Sequence, residues 1–309
     1  MEAATENALR RAGHETLILD DRRMKRAIGR RMTQHLVRAR ARRFQPDFIF
    51  LSKCLALDLV TVQRLIDNVP NAMWYHDPQW YRDTARHDIG HIASVARLAE
   101  TFFVTGFDAE WRALGTNAKF LPAAGDASIR PVDPVPEYAS DAAFIGTGYD
   151  ASRAALLLQV SKKYDVRVYG PAWDPWRAEL KWNGRSVEGE EFAQVCSSAA
   201  VTLGINPSRA EGGESYTSDR TWMVILAGAF YLGQGTSGVT QLLRGGEHCA
   251  WYSDADDCVA QMDRYVNDPD ARETIRSQGE RFVRANHTYD QRISNLLSGT
   301  AWTVDSVIG

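Results

Sequence analysis

FIGTGYDASR, residues 144–153, is the stretch on which the fold turns. It reads as the end of a buried strand, a Gly-x-Gly turn, an aspartate that starts a helix, and an arginine in that helix's first turn. Strand, glycine turn and helix is the element with which α/β proteins hold phosphate. The glycines let the backbone approach a ligand, and the helix start offers free N–H groups and a positive dipole end. Gly146, Gly148 and Arg153 are therefore candidate phosphate-binding residues, although a lone Gly-x-Gly also serves as a plain tight turn. Dinucleotide-binding folds usually begin with this element, yet here nearly half of the chain precedes it.

Working outward resolves the position. After residue 140 short β-rich runs alternate with helical stretches: AAFIG (142–146), VRVYG (166–170), AVTLGI (200–205), AFYLG (229–233) and CAWY (249–252), separated by helices near 151–164, 189–199, 218–228 and 255–268, with a further helix over 269–285. Strands that are apolar on both faces and alternate with helices predict a parallel sheet covered on both sides. The first half alternates too, with strands expected at 15–20, 47–52, 71–76, 101–106 and 118–123. IRPVDPVPEYASD (129–141) has linker composition. The fold class is thus α/β, with two Rossmann-like domains facing across a cleft: residues 1–135, then 136–285, then a helical tail over 286–309 able to pack back on the first domain. The glycine turn is late because it opens the second domain. The first domain begins in a helix followed by ETLILD, so it lacks the strand that usually comes first and occupies the middle of such a sheet.

Composition narrows the class. In 309 residues 44% are apolar and the net charge is −3, enough for two cores and no strong polyelectrolyte character overall. The four cysteines, Cys54, Cys196, Cys249 and Cys258, have no close paired spacing and read as reduced thiols. No apolar run has the length of a membrane span and no secretory leader is visible, so the expected location is the cytoplasm.

Three further segments belong to the same rim of the second sheet. GQGTSGVTQLL (233–243) follows a strand and precedes a helix, placing Gly235, Thr236, Ser237 and Gly238 where α/β proteins bind ligands. INPSRAEGGESYTSDRTWMVILAGAF (205–230) carries Asn206, Glu211, Glu214, Ser218 and Arg220 ahead of an apolar helix. VYGPAW (168–173) ends a strand in Tyr169 and Gly170 with Trp173 beyond, a loop suited to a flat base, although both aromatics are equally read as core. In the first domain His76 and Asp77 end the strand NAMWYH. There an imidazole or carboxylate is placed to take a proton from an attacking hydroxyl, while Asp77-Pro78 is also read as a turn.

In this order and spacing, FIGTGY…R, VYGPAW, INPSR…SDRTW…LAGAF and HTYDQR (287–292), with WYHDP (74–78) and FLPAAGD (120–126), the chain resembles CgeB-type, spore-maturation-like glycosyltransferases over about residues 70–293. The resemblance implies GT-B architecture and transfer of a sugar from a nucleotide diphosphate donor, the co-substrate, to an acceptor facing the first domain, with no metal and no other cofactor. It implies Gly146, Gly148 and Arg153 near the donor phosphates, Tyr169 and Gly170 near the base, and Asn206 and Arg220 in the donor pocket. Related transferases place a ribose-binding glutamate where Met223 stands here, which leaves Glu214, or Glu211, to reach the donor. A protein that binds the nucleotide sugar without turnover is the alternative.

Two other patterns compete. In RHDIGH (86–91) the imidazoles of His87 and His91 share a helical face, as in metal-dependent phosphohydrolases, but the segment falls between strands and reads better as a solvated helix start. DADD (254–257) reads as a capped helix N-terminus. The arginine-rich stretch 21–44 carries charge for an anionic acceptor, whereas its period predicts a solvated helix with Met24, Ile28, Met32, Leu36 and Val37 as buried stripe. No aromatic interleaving argues for nucleic acid, and the oligomeric state is not encoded in any motif.

Overall fold

The computed structural model describes residues 2–77, 88–148, 150–205 and 214–303. Two parallel sheets organise them. In the first, β1 (Ile49–Leu51), β2 (Asn71–Tyr75), β3 (Thr101–Val104) and β4 (Ala118–Phe120) lie side by side in chain order. The second contains β5 (Ser140–Ile145), β6 (Val166–Tyr169), β7 (Lys181–Trp182), β8 (Ala199–Gly204), β9 (Tyr231–Gln234) and β10 (Ala250–Tyr252), in the order β10-β9-β8-β5-β6-β7. Every pairing is parallel.

Helices α1 (Glu2–Arg11), α2 (Asp21–Phe44), α3 (Leu59–Ile66), α4 (Ile89–Leu98) and α5 (Asp108–Ala113) belong to the first half. The second half adds α6 (Ala151–Ser161), α7 (Gly189–Ser198), α8 (Asp219–Leu226), α9 (Val239–Leu242), α10 (Ala255–Val266), α11 (Pro269–Asn286) and α12 (Tyr289–Ser298). Strand β2 is buried at all five positions, as a strand covered on both faces must be. Helix starts follow local chemistry: Asp58, Asp88, Asp254 and Asp268 each accept a backbone N–H of the helix they precede, at 2.7–2.9 Å. DADD is accordingly the capped start of α10.

Three expectations are corrected. Residues 15–20 form no strand; Leu17 and Ile18 are 39% and 49% exposed. The alternating pattern supplied β propensity, but a strand also needs a sheet edge to pair with. Nor does the missing first strand leave a gap, because β1 to β4 pair successively and no central place is open. The buried stripe of α2 is also different: Thr33, Gln34 and Val37 are buried, while Ile28 and Met32 are 41% and 55% exposed. Gly29, with φ 77° and ψ 164°, breaks the helix and ends the phase on which the stripe depended. Strand β7, two residues long, carries too little pattern to be read from sequence.

Helix α12 packs on α1 and β2, and the apolar cluster that contains Trp74, Leu121 and Ala124 of the first domain continues through Trp222, Leu226, Tyr289 and Ile293. Arg292, 1% exposed, ties this junction. Its guanidinium donates to the Pro122 carbonyl at 3.0 Å, the Asn286 carbonyl at 3.1 Å and His287 Nδ1 at 2.8 Å. Since arginine only donates, Nδ1 is the acceptor and the His287 proton sits on Nε2.

Candidate functional site

In the second sheet the chain lays β5, β6 and β7 to one side and β8, β9 and β10 to the other. The direction reverses between β5 and β8, and at such a switch point the connections diverge and leave a crevice at the carboxyl ends of the strands. The turn after β5, the start of α8 and the loop after β9 surround that crevice.

The turn after β5 spends its amides internally. Gly146 N–H donates to Tyr169 O at 2.8 Å and Gly148 N–H to Pro171 O at 3.0 Å. What the glycines contribute is room. A Cβ on Gly146 would lie 2.7 Å from Nη2 of Arg220, one on Gly148 2.5 Å from the Trp173 ring, and one on Gly170, where φ is +120°, 2.2 Å from Gly146 O. Asp150 caps α6 with its own carboxylate, accepting from Ser152 N–H at 2.8 Å. Arg153 is buried, donates to Thr147 O at 2.9 Å and so braces the turn. Tyr169 and Trp173 are core residues; the Trp173 indole donates to Gly146 O at 2.8 Å.

Arg220 occupies a different place. It is half-buried in the first turn of α8, against Gly146, with its guanidinium carbon 5.0 Å from the centre of the Phe144 ring. It therefore stands on the switch point itself. Ser218 precedes α8 without a side-chain capping bond. Burial pushes the carboxyl of Asp219 up, the hydroxyl of Tyr289, which donates to it at 3.1 Å, pulls it down, and Asp77 of the first domain raises it further.

The loop after β9 holds three consecutive amides in reserve. Gly235 N–H donates to Tyr252 O at 2.9 Å, and Val239 N–H to Glu214 O at 2.9 Å. Among the described residues those of Thr236, Ser237 and Gly238 donate to nothing. The Thr236 hydroxyl donates to the carbonyl of Glu214, so this loop and residues 214–218 hold each other. Successive N–H groups without acceptors are donors that an anionic ligand can engage. β8 lies between β5 and β9, so the amides are about 10 Å from the β5 turn across two strand spacings.

From the first domain, His76 and Asp77 follow β2. Lys53, just past the neighbouring β1, pairs with Asp77. His76 lies 3.9 Å from the Trp74 ring, centre to centre, and burial holds its pKa well below the ordinary histidine value. Neither ring nitrogen has a hydrogen-bond partner among the described residues, and both are shielded from water. At the end of β3 a Cβ on Gly106 would meet Tyr216 Cβ at 3.2 Å, so the carboxyl edge of the first sheet touches the segment leading into α8.

Known structures settle what this pair of sheets is. Sucrose-phosphate synthase from Thermosynechococcus elongatus superposes with a TM-score of 0.64 at 13% identity, over 92% of this chain and 80% of its own. HepE from Anabaena, solved in complex with UDP and glucose, gives 0.61 at 12% identity over 85% and 80%. A glycosyltransferase from Rickettsia africae gives 0.60 at 8% identity over 93% and 84%. The fold is that of the GT-B glycosyltransferases. Residues 153–298 of this GT-B chain match the family model described as glycosyl transferase-like, just under half of its length and nearly all of its second domain. No curated protein matches by sequence.

Within the GT-B frame the structure brings together Gly146, Gly148, Arg220, Ser218 and the Gly235–Ser237 loop on one rim and sets Tyr169 and Arg153 beneath it. Asn206, Glu211 and His87 lie outside the described residues. His91 is engaged: its Nε2 lies 2.9 Å from the carbonyl of Cys54. Met223 packs on the apolar cluster of the junction and offers no polar group. Sequence reasoning missed Lys53, and Asp219 reads from sequence as a candidate helix cap alone. The signal for Lys53 lay in register, since Leu51 pairs with Met73 and puts the residues just past β1 at the level of the end of β2.

Proposed function

We propose that the protein transfers a sugar from a nucleoside diphosphate donor, of the UDP class, to an acceptor hydroxyl presented by the first domain. The observation that carries this reading is the pairing of Arg220 on the switch point with the three unengaged amides of Thr236, Ser237 and Gly238 two strands away. Together they offer a fixed positive charge and a row of dipoles to a diphosphate. HepE, of the same fold, was solved with UDP and glucose.

In the reaction the acceptor oxygen forms a bond to the anomeric carbon, and the bond from that carbon to the β-phosphate oxygen breaks. The electron pair leaves with the diphosphate. Arg220 and the amides meet the charge that grows there, where preorganised donors stabilise the transition state most. The charge is met by the chain's own groups, so transfer persists in a chelator. His76 is the group we assign to the other partner. A buried imidazole without hydrogen bonds costs about 1–3 kcal/mol, a cost relieved when a hydroxyl arrives. Held neutral at pH 7, it keeps a lone pair for the acceptor's proton, and Asp77, fixed by Lys53, stands beside it. With Met223 apolar, Glu214, exposed next to the amide row, is the carboxylate at hand for the donor ribose. That Met223 supplies no polar contact also favours the second reading, binding without turnover.

Calorimetric titration with UDP, followed by UDP release from a panel of UDP-sugars, separates the readings. Saturable UDP binding with release supports transfer. Binding without release, over a broad acceptor panel, supports the binding protein. No saturable binding of any nucleoside diphosphate removes both.

A further inference from the structure

Residues 25–32 of α2, Lys-Arg-Ala-Ile-Gly-Arg-Arg-Met, are exposed at every position. A helix lying on a protein body buries one face; this stretch, two helical pieces meeting at the break at Gly29, buries no position. Lys25, Arg26 and Arg31 pair with no carboxylate among the described residues, and Arg30 makes no direct ion pair but acts through space on Asp58, lowering its pKa. Between them Ile28 and Met32 are 41% and 55% exposed, and Leu17 and Ile18 lie exposed in the segment leading into the helix. Farther along, Arg38 and Arg42 join Arg64 of α3 around a cavity of about 300 Å³ that includes one carboxylate, Asp67.

Unpaired cations and exposed aliphatic side chains ask for a partner that is both anionic and apolar. Nucleic acid answers the first need only, and its single-stranded sites interleave aromatic rings for stacking, of which residues 17–32 have none. A lipid interface answers both: isoleucine and methionine enter the acyl boundary while the long cationic stems keep their heads among phosphates. We propose that Lys25–Met32 is a docking element for an anionic lipid surface. Attachment is to the face of the bilayer, since no helix among the described residues is long and apolar enough to cross it. This goes beyond the transferase reading and is tested without turnover.

The test is co-sedimentation of the full chain with phosphatidylcholine vesicles, with and without phosphatidylglycerol. The protein is expected to pellet with the anionic vesicles alone and to be released as salt rises. Arg26→Ala/Arg30→Ala should lower the partition by about thirtyfold, roughly fivefold per cation. Ile28→Ser/Met32→Ser, which keeps every charge, should lower it as well. All four positions are exposed, and an unchanged melting temperature checks that both variants fold. No pelleting with anionic vesicles, or equal pelleting with neutral ones, overturns the proposal. So does an Ile28→Ser/Met32→Ser variant that binds like the parent, and if duplex DNA or RNA then competes for the face, the partner is nucleic acid.

Discussion

Arg153 and Arg220 lie with their guanidinium carbons 6.0 and 5.0 Å from the same Phe144 ring, yet they do different work. Arg153 is buried and holds the Thr147 carbonyl, so Arg153→Ala should lower stability by about 1–3 kcal/mol in urea unfolding. Arg220 meets the crevice, so Arg220→Ala should melt near the parent temperature but bind UDP about ten- to a hundredfold more weakly in calorimetry. Gly146→Ala reports on the same contact, because its Cβ would lie 2.7 Å from the Arg220 guanidinium and must displace it; a comparable loss of UDP affinity is expected. His76→Asn should reduce turnover of UDP-sugar and leave UDP affinity within about twofold, since the proposed role for it is on the acceptor side. At this scale residue types are legible in the sequence and their hydrogen-bond partners are not. Spacing marks where glycines and arginines fall in a strand-turn-helix element, but whether an amide is already bound to a neighbouring loop depends on residues such as Tyr169 and Pro171, far along the chain. The reserve of amides at 236–238 was legible, because a glycine-flanked Thr-Ser pair after a buried strand has few local acceptors.

Among the elements, the junction of α11 and α12 sets how the protein responds to acid. His287 stacks on Trp222 at 4.4 Å and accepts from the buried Arg292, whose guanidinium burial pulls down to about 9, still charged at neutral pH. Burial first, then Arg292, holds the His287 pKa well below its ordinary value; burial does the same at His76, and lowers His248 against the opposing pull of Glu247. The unfolded chain therefore binds protons that the native chain refuses. The stability these groups lend is complete above about pH 6.5 and is lost as pH falls below it toward the native values. His287 and His76 each contribute a slope of up to about 1.4 kcal/mol per pH unit in that window. Urea unfolding between about pH 7 and about pH 5 should show the loss, and His287→Asn, which keeps an acceptor for Arg292 but takes no proton, should flatten it. A slope unchanged by that variant would place the acid sensitivity elsewhere. Elements with strong periodicity and clear punctuation, β5 with α6 or β9 with its loop, were legible. ETLILD and the stripe of α2 were not: one has propensity but no edge to pair with, and the other loses its phase at Gly29, a backbone break no hydrophobic period announces.

For the molecule as a whole, the two parallel sheets follow from strand-helix alternation, and their meeting follows from one shared apolar cluster that runs from Trp74 through Trp222 to Tyr289 and Ile293. The carboxyl edges of both sheets end at this meeting, which brings His76 and Asp77 of one domain toward Asp219 and Arg220 of the other. The doubling was legible from a glycine turn in mid-chain; the contact between domains was not, since it depends on pairs such as Arg292 with Pro122, 170 residues apart. The central claim is that a diphosphate is gripped on the rim of the second sheet at its switch point. A crystal structure of the protein with UDP tests it most directly. Density for the diphosphate is expected in contact with Arg220 and the amides of Thr236, Ser237 and Gly238; UDP ordered at any other place, or that rim closed by protein side chains in the bound crystal, would refute the assignment.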